Sequence, residues 1–327
     1  MTILFASNNP IVFVNPTASN TASTNFDSVY VKESSYLFNG GSSTPITFPA
    51  SDTDTVWFHW TQRSYTTNSV ADDGHAGPQI QDIAGLRIFY HEVTDGNYAP
   101  YFNGNVAANG SFVGRGSGRV TYDVRVTLSG GFFTFEYWVN GVLVFAPAPV
   151  AQGTRTLPRK FYFFSTDVPQ VYLTELIVSS TSTVGRRLIQ LKPDAAGAYN
   201  GWSGDLANIT TALVTTFRST NAPDVKMSYT FDPYTGPQTQ VIEGVVTEQV
   251  SEATGPAPLT KSANFLRIGG VDYESAQFDT TTPYSVLQDV RETNPATGLV
   301  NIATDARGEI SVVNMLGKVV LRSEYTN

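Results

Sequence analysis

The stretch that decides the fold runs Tyr122-Asp-Val-Arg-Val-Thr-Leu128, then Gly130-Gly131, then Phe132 to Phe145 broken only by Asn140-Gly141. In the first run Tyr122, Val124, Val126 and Leu128 share one face, and Asp123, Arg125 and Thr127 share the other, the period of a half-buried antiparallel strand. An Asn-Gly pair between alternating apolar residues is the strongest short-range hairpin signal a sequence carries. A second block, Phe161-Tyr-Phe-Phe164 and Val171 to Val178, repeats this character. Strands that follow one another without intervening helical periodicity point to a sandwich rather than to an α/β enzyme.

Working outward, strand patterns occur at Ser28 to Lys32, Ser35 to Phe38, Thr55 to Gln62, Leu86 to Glu92 and Ser111 to Val113, and a short apolar run at Ile11-Val-Phe-Val14. Beyond the polar run Ser179-Ser-Thr-Ser-Thr-Val-Gly185, further strands are expected at Leu188 to Leu191, Lys226 to Phe231, Gln240 to Gln249, Ala263 to Ile268, Ser285 to Glu292 and Ile310 to Arg322. The Gly, Pro, Asn and Asp punctuation suits jelly rolls. The expectation is an all-β chain of two tandem β-sandwich domains, residues 29–185 and 186–327. Residues 15–28, almost wholly Asn, Thr, Ser and Ala, are too polar to pack, and residues 1–28 are read as an N-terminal docking arm or an entry loop.

Composition narrows the functions. A formal net charge of −8, from 20 Lys and Arg against 28 Asp and Glu, argues against a phosphate-backbone partner, so no nucleic acid is expected. Charged residues make up 15 %, well under the usual quarter, which leaves a neutral polar surface. The absence of Cys removes disulfides, thiol nucleophiles and thiolate metal sites together. No apolar stretch has the length of a membrane span, and Met1 to Ser7 lacks the basic region of a signal peptide. Release by host lysis is the expected route if the protein acts outside a cell.

The sequence offers few chemical constellations. His59, His75 and His91 fall outside metalloprotease spacing, and Gly114-Arg-Gly-Ser-Gly118 is neither a P-loop nor a nucleophile elbow. Glycoside hydrolysis calls for two carboxylates flanking one bond, whereas Glu136, Glu175, Glu243 and Glu248 stand apart in sequence. Asp72-Asp73 with Asp82, and Asp95-Gly96-Asn97, supply oxygen donors without the dense alternation of a calcium loop. No catalytic residue, metal or cofactor is therefore expected. The aromatic residues Trp57, Trp60, Phe133, Phe135, Tyr137 and Trp138 read mainly as core. Trp57 and Trp138, with Asp95 and Asn97, are the candidate glycan contacts.

Residues 120 to 178, with Tyr137-Trp-Val-Asn-Gly141 and Val171-Tyr-Leu-Thr-Glu-Leu-Ile-Val178, resemble the late strands of concanavalin A-like, laminin-G-type sandwiches. Gly185-Arg-Arg-Leu-Ile-Gln-Leu-Lys-Pro-Asp-Ala-Ala-Gly-Ala-Tyr-Asn-Gly-Trp202 and Arg291-Glu-Thr-Asn-Pro-Ala-Thr-Gly298 are similar to paired motifs in a family of tailed-bacteriophage virion proteins, where such a lectin-like domain precedes a second β-domain. The chain departs from that pattern in the weakly acidic Gly204-Asp-Leu-Ala-Asn-Ile-Thr-Thr and in Leu299-Val300, where the family carries a Trp. The resemblance implies a non-enzymatic virion component on capsid, neck or tail, a homo-oligomer that contacts other virion proteins. Recognition of host-surface glycan is the alternative function.

Overall fold

The computed structural model describes residues 2–7, 21–27, 32–38, 41–42, 45–64, 76–94, 97–102, 105–106, 120–165, 171–191, 193–205, 225–231, 241–251, 261–279, 285–299, 311–312 and 316–322. Among them there is no helix. The chain divides into two compact units, residues 1–25 with 34–185, and residues 186–327 with 26–33.

In the first unit the strands are β1 (Ile3–Ser7), β2 (Thr21–Asp27), β3 (Lys32–Phe38), β4 (Gly41–Ser42), β5 (Ile46–Thr47), β6 (Thr55–Ser64), β7 (Ala76–Gln81) and β8 (Arg87–Thr94). They continue as β9 (Asn97–Phe102), β10 (Asn105–Val106), β11 (Val120–Ser129), β12 (Phe132–Val139), β13 (Val142–Phe145), β14 (Val150–Ala151), β15 (Lys160–Ser165) and β16 (Val171–Ser179). A nine-stranded sheet has the order β13-β12-β11-β6-β16-β3-β2, with β1 beside β16 and β14 beside β12. A seven-stranded sheet has the order β10-β9-β8-β7-β15-β4, with β5 beside β15. All pairings of β11 and β12 are antiparallel and run in register from Tyr122 opposite Val139 to Ser129 opposite Phe132.

The two sheets face each other across one aromatic core. Val56, Phe58 and Trp60 of β6, Tyr122, Val124 and Val126 of β11, and Phe133, Phe135 and Tyr137 of β12 are buried on the inner face. Ile80, Phe89, Phe102, Phe161 and Phe163 meet them from the other sheet. Ring centroids of Phe102 and Phe135 are 4.2 Å apart, those of Phe58 and Phe161 6.3 Å, and those of Trp60 and Phe89 6.4 Å. Fully buried rings of this size supply most of the drive to stack the sheets. Both hairpin turns take the left-handed backbone that the sequence demands: φ is 49° at Asn140 and 78° at Gly141, and 59° and 81° at Gly130 and Gly131.

Ile3–Ser7, inside the segment expected to be an arm, is a buried strand paired with β16 through Ile3 opposite Ser179 and Ser7 opposite Leu176. The reason is plain in its composition: Ile-Leu-Phe-Ala is apolar enough to complete the sheet beside β16. Thr21–Asp27, also expected to be too polar to pack, is a strand at the edge of that sheet. Ile11–Val14, Ser111–Val113 and Gly114–Gly118 lie outside the described residues.

The second unit contains β17 (Arg186–Leu191), β18 (Pro193–Asn200), β19 (Met227–Phe231), β20 (Val241–Ser251), β21 (Lys261–Ser262), β22 (Phe265–Ile268), β23 (Val271–Glu274), β24 (Phe278–Asp279), β25 (Ser285–Arg291), β26 (Ser311–Val312) and β27 (Leu316–Arg322). They form a four-stranded sheet β17-β27-β20-β25, a five-stranded sheet β18-β19-β26-β22-β23 and the pair β21-β24. Met227, Tyr229 and Phe265 form a buried hydrophobic cluster, with Tyr199 and Trp202 packed against them. The motif around Ala195 to Trp202 serves this packing. A Cβ at Gly201 would stand 2.1 Å from Val225 Cγ1, so only glycine admits the neighbouring chain, and Trp202 Nε1 then donates to the Val225 carbonyl at 3.0 Å.

Candidate functional site

The two outer faces of the first sandwich carry the polar groups, and they are built differently. On the nine-stranded sheet, strand register sets Trp57, His59 and Thr61 of β6 beside Arg125, Asp123 and Thr121 of β11, and these beside Glu136 and Trp138 of β12. His59 Nδ1 lies 2.9 Å from Asp123 Oδ1, and its Nε2 lies 3.9 Å from Glu175 Oε2. Thr183 Oγ1 donates to Asp123 Oδ1 at 2.7 Å, and Thr61 Oγ1 donates to Glu175 Oε2 at 2.6 Å. Glu175 reaches this position from a bulge in β16, between Thr174 and Ile177, where its backbone adopts φ 56°. A non-glycine residue held there stores strain that the surrounding contacts must offset.

Burial alone disfavours the charged imidazole, yet Asp123 and Glu175 outweigh it and raise the His59 pKa to about 9. His59, Asp123 and Thr183 are at most 1 % exposed and Glu175 is fully buried, so this histidine between two carboxylates is closed to any substrate. It is a buried ion network that ties Thr183, just ahead of the second unit, onto β11. The alternation had placed Asp123 on a solvent-facing side; Thr183 covers it instead. His91, the other described histidine, sits between the sheets against Trp60, Tyr122 and Tyr137, with Nδ1 3.1 Å from the Tyr137 hydroxyl, and burial pushes its pKa down to about 3.

The seven-stranded sheet presents the open face. Register aligns Tyr162 of β15, Gln79 of β7, Tyr90 of β8 and Tyr101 of β9 in one row. The inner positions of the same strands hold Phe161, Ile80, Phe89 and Phe102, so strand alternation sends the tyrosines outward. Tyr90 and Tyr101 stack with centroids 4.5 Å apart and planes 11° apart. The Arg87 guanidinium lies over the Tyr90 ring at 4.4 Å, giving a three-layer stack of cation, ring and ring. The Tyr162 hydroxyl donates to Gln79 Oε1. Burial raises the Tyr90 and Tyr162 pKa values against the opposing pull of Arg87. The turn before β8 is fixed by Asp82, which accepts the Leu86 amide at 2.8 Å and the Thr156 amide at 3.2 Å. Ile83, 49 % exposed, and Leu86, 39 % exposed, give this end of the face an apolar flank.

The four sequence-predicted contacts do not converge. Trp57 is buried, with the Arg125 guanidinium 5.9 Å over its ring, and Arg125 is held 2.8 Å from Glu136. Trp138 is half-buried on the same outer face, beside Asp123. Asn97 pairs with Thr94 in the other sheet, and Asp95, like Asp72, Asp73 and His75, lies outside the described residues. Trp60, Phe133, Phe135 and Tyr137 fill the core. The tyrosine row escaped sequence reasoning because its members belong to four strands whose register no local pattern reveals. One usable signal was present, the alternation that sends Tyr162 to the opposite side from Phe161 and Phe163.

No protein-family model matches the chain, and no curated protein matches it. Among solved structures it is similar to the cellulose-induced protein Cip1, at 16 % identity and a TM-score of 0.36, over 55 % of this chain and 92 % of that one. It is also similar to the alginate lyase AlgAT5 of polysaccharide lyase family 7, at 14 % identity and a TM-score of 0.31, over 45 % of this chain and 79 % of that one. A third likeness is to the receptor-binding domain of botulinum neurotoxin type G, at 11 % identity and a TM-score of 0.32, over 50 % of this chain and 43 % of that one.

Proposed function

We propose that the first sandwich is a carbohydrate-binding module and that the outer face of its seven-stranded sheet is the platform. The observation that carries this reading is the Arg87–Tyr90–Tyr101 stack, pre-assembled and half-open to solvent, with Tyr162 and Gln79 continuing the row. Aromatic residues with a polar tip suit sugars because they offer apolar area for C–H faces and hydroxyls for hydrogen bonds at low entropic cost. A rigid sheet holds the groups in place before binding, which lowers the ordering cost.

The test is a polysaccharide array probed with the full chain and with Tyr101→Ala and Trp138→Ala variants. Signal that drops about tenfold or more for Tyr101→Ala and persists for Trp138→Ala is the expected result. Absence of any glycan signal from the folded wild type, or loss in Trp138→Ala alone, contradicts the reading.

A second reading, assembly within a virion, rests on a different observation. Strand β13 is a short sheet edge with Val142 63 % and Leu143 43 % exposed, and Phe132 on neighbouring β12 is 50 % exposed. Bare apolar edges are sites where another chain adds. Mass photometry of the full chain and of Leu143→Lys tests it: an oligomer that the variant dissolves supports assembly, and a monomer in both opposes it.

A further inference from the structure

We infer that the sugar recognised on the seven-stranded face is an anionic one, a uronate-type chain whose carboxylate is taken by Arg87; the inference rests on the carbohydrate-binding reading above. It comes from how the chain spends its cations. Where acids and bases meet elsewhere, the cations are neutralised: Arg125 pairs with Glu136, Arg186 with Glu243, Lys226 with Asp272 and Glu274, and Arg291 with Asp289. Around the tyrosine row the pattern reverses. Among the described residues Arg87, Arg155, Arg159 and Lys160 have no carboxylate within ion-pair distance, in a chain whose net charge is −8.

These cations gather by construction. Arg87 and Lys160 flank Gln81 in one cross-strand row, which sets their backbones about 10 Å apart. Arg155 Nε donates to the Arg87 carbonyl at 2.8 Å, which anchors a second guanidinium at the backbone of Arg87. Arg159 is committed through Nε to the Phe48 carbonyl at 2.8 Å. Among the described side chains the nearby acid is Asp82, which is 1 % exposed and spent on the amides of Leu86 and Thr156.

Stacking on Tyr90 gives Arg87 its specificity. A guanidinium laid over a ring has a fixed plane, and its in-plane N–H donors remain free for the two oxygens of a planar carboxylate. A lysine at the same place offers charge without that fork. A cationic patch on an acidic protein also draws a polyanion to this face while the remaining surface repels it.

The test is isothermal titration calorimetry of the full chain with an oligogalacturonate and with the same oligosaccharide after carboxyl reduction, for wild type, Arg87→Ala and Arg87→Lys. Expected are binding of the uronate about tenfold or more tighter than of its neutral counterpart, loss in Arg87→Ala and partial retention in Arg87→Lys. Equal affinity for the charged and reduced oligosaccharides overturns the carboxylate inference and leaves glycan binding standing. Binding that is unchanged in Arg87→Ala overturns the role of Arg87. Failure to bind either oligosaccharide, with glycan signal elsewhere on the array, overturns the uronate class; failure across the whole array removes the carbohydrate reading itself.

Discussion

The two outer faces of the first sandwich use the same residue types to opposite ends. On the nine-stranded sheet each described charge faces an opposite one: His59 lies between Asp123 and Glu175, and Arg125 grips Glu136. On the seven-stranded sheet the arginine is stacked on Tyr90 and, among the described residues, has no carboxylate within ion-pair distance. A network satisfied from within contributes to folding and leaves nothing for a ligand; a pre-oriented group without its complement is ready for one. The comparison also shows why a histidine flanked by acids is not by itself a catalytic signal. Access decides, and His59 is 1 % exposed.

The largest effect that can break this contrast is removal of His59. His59→Ala leaves Asp123 and Glu175 as buried like charges and is expected to cost about 3–5 kcal/mol in urea unfolding. A loss below about 1 kcal/mol means that the network is not a structural tie.

Next comes the pH profile. His59 is raised from 6.5 to about 9 in the fold, so its stabilisation is fully present below pH 6.5 and fades as pH rises to about 9. His91 is lowered from 6.5 to about 3, so its neutral form stabilises above pH 6.5 and that contribution fades as pH falls toward 3. Thermal melts should therefore weaken on both sides of pH 6.5. His59→Gln is expected to flatten the alkaline limb alone and His91→Gln to soften the acid limb alone; exchanged or unchanged limbs contradict the assignment.

How much of this was legible in the sequence differs between the faces. The β11–β12 hairpin was readable because Asn140-Gly141 and period-2 alternation are local facts, and Thr55–Ser64 and Arg87–Thr94 lie where alternation placed them. Ala76–Gln81 and Asn97–Phe102 were missed, since Pro78 and Pro100 argue against strands unless the surrounding sheet overrides them. Pro193–Asn200 was missed because Ala and Gly carry little strand propensity. His59 and Asp123 stand 64 residues apart, and Thr61 and Glu175 stand 114 apart. Only sheet register, plus a bulge that aims Glu175, unites them.

Two smaller effects sharpen the comparison. Arg125→Ala breaks a pair with side chains 38 % and 29 % exposed and is expected to cost about 0.2–1 kcal/mol in the same unfolding assay. Arg87→Ala removes an exposed side chain and should change stability by less than about 0.5 kcal/mol. A large loss there recasts the stack as a structural clamp.

The most direct test of the central claim is hydrogen–deuterium exchange of the full chain with and without the best-binding glycan. The account predicts added protection confined to Ala76–Gln81, Arg87–Thr94, Asn97–Phe102 and Lys160–Ser165, the strands of the tyrosine face. Protection appearing instead in Thr55–Ser64, Val120–Ser129 and Phe132–Val139, with the tyrosine strands unchanged, would contradict it.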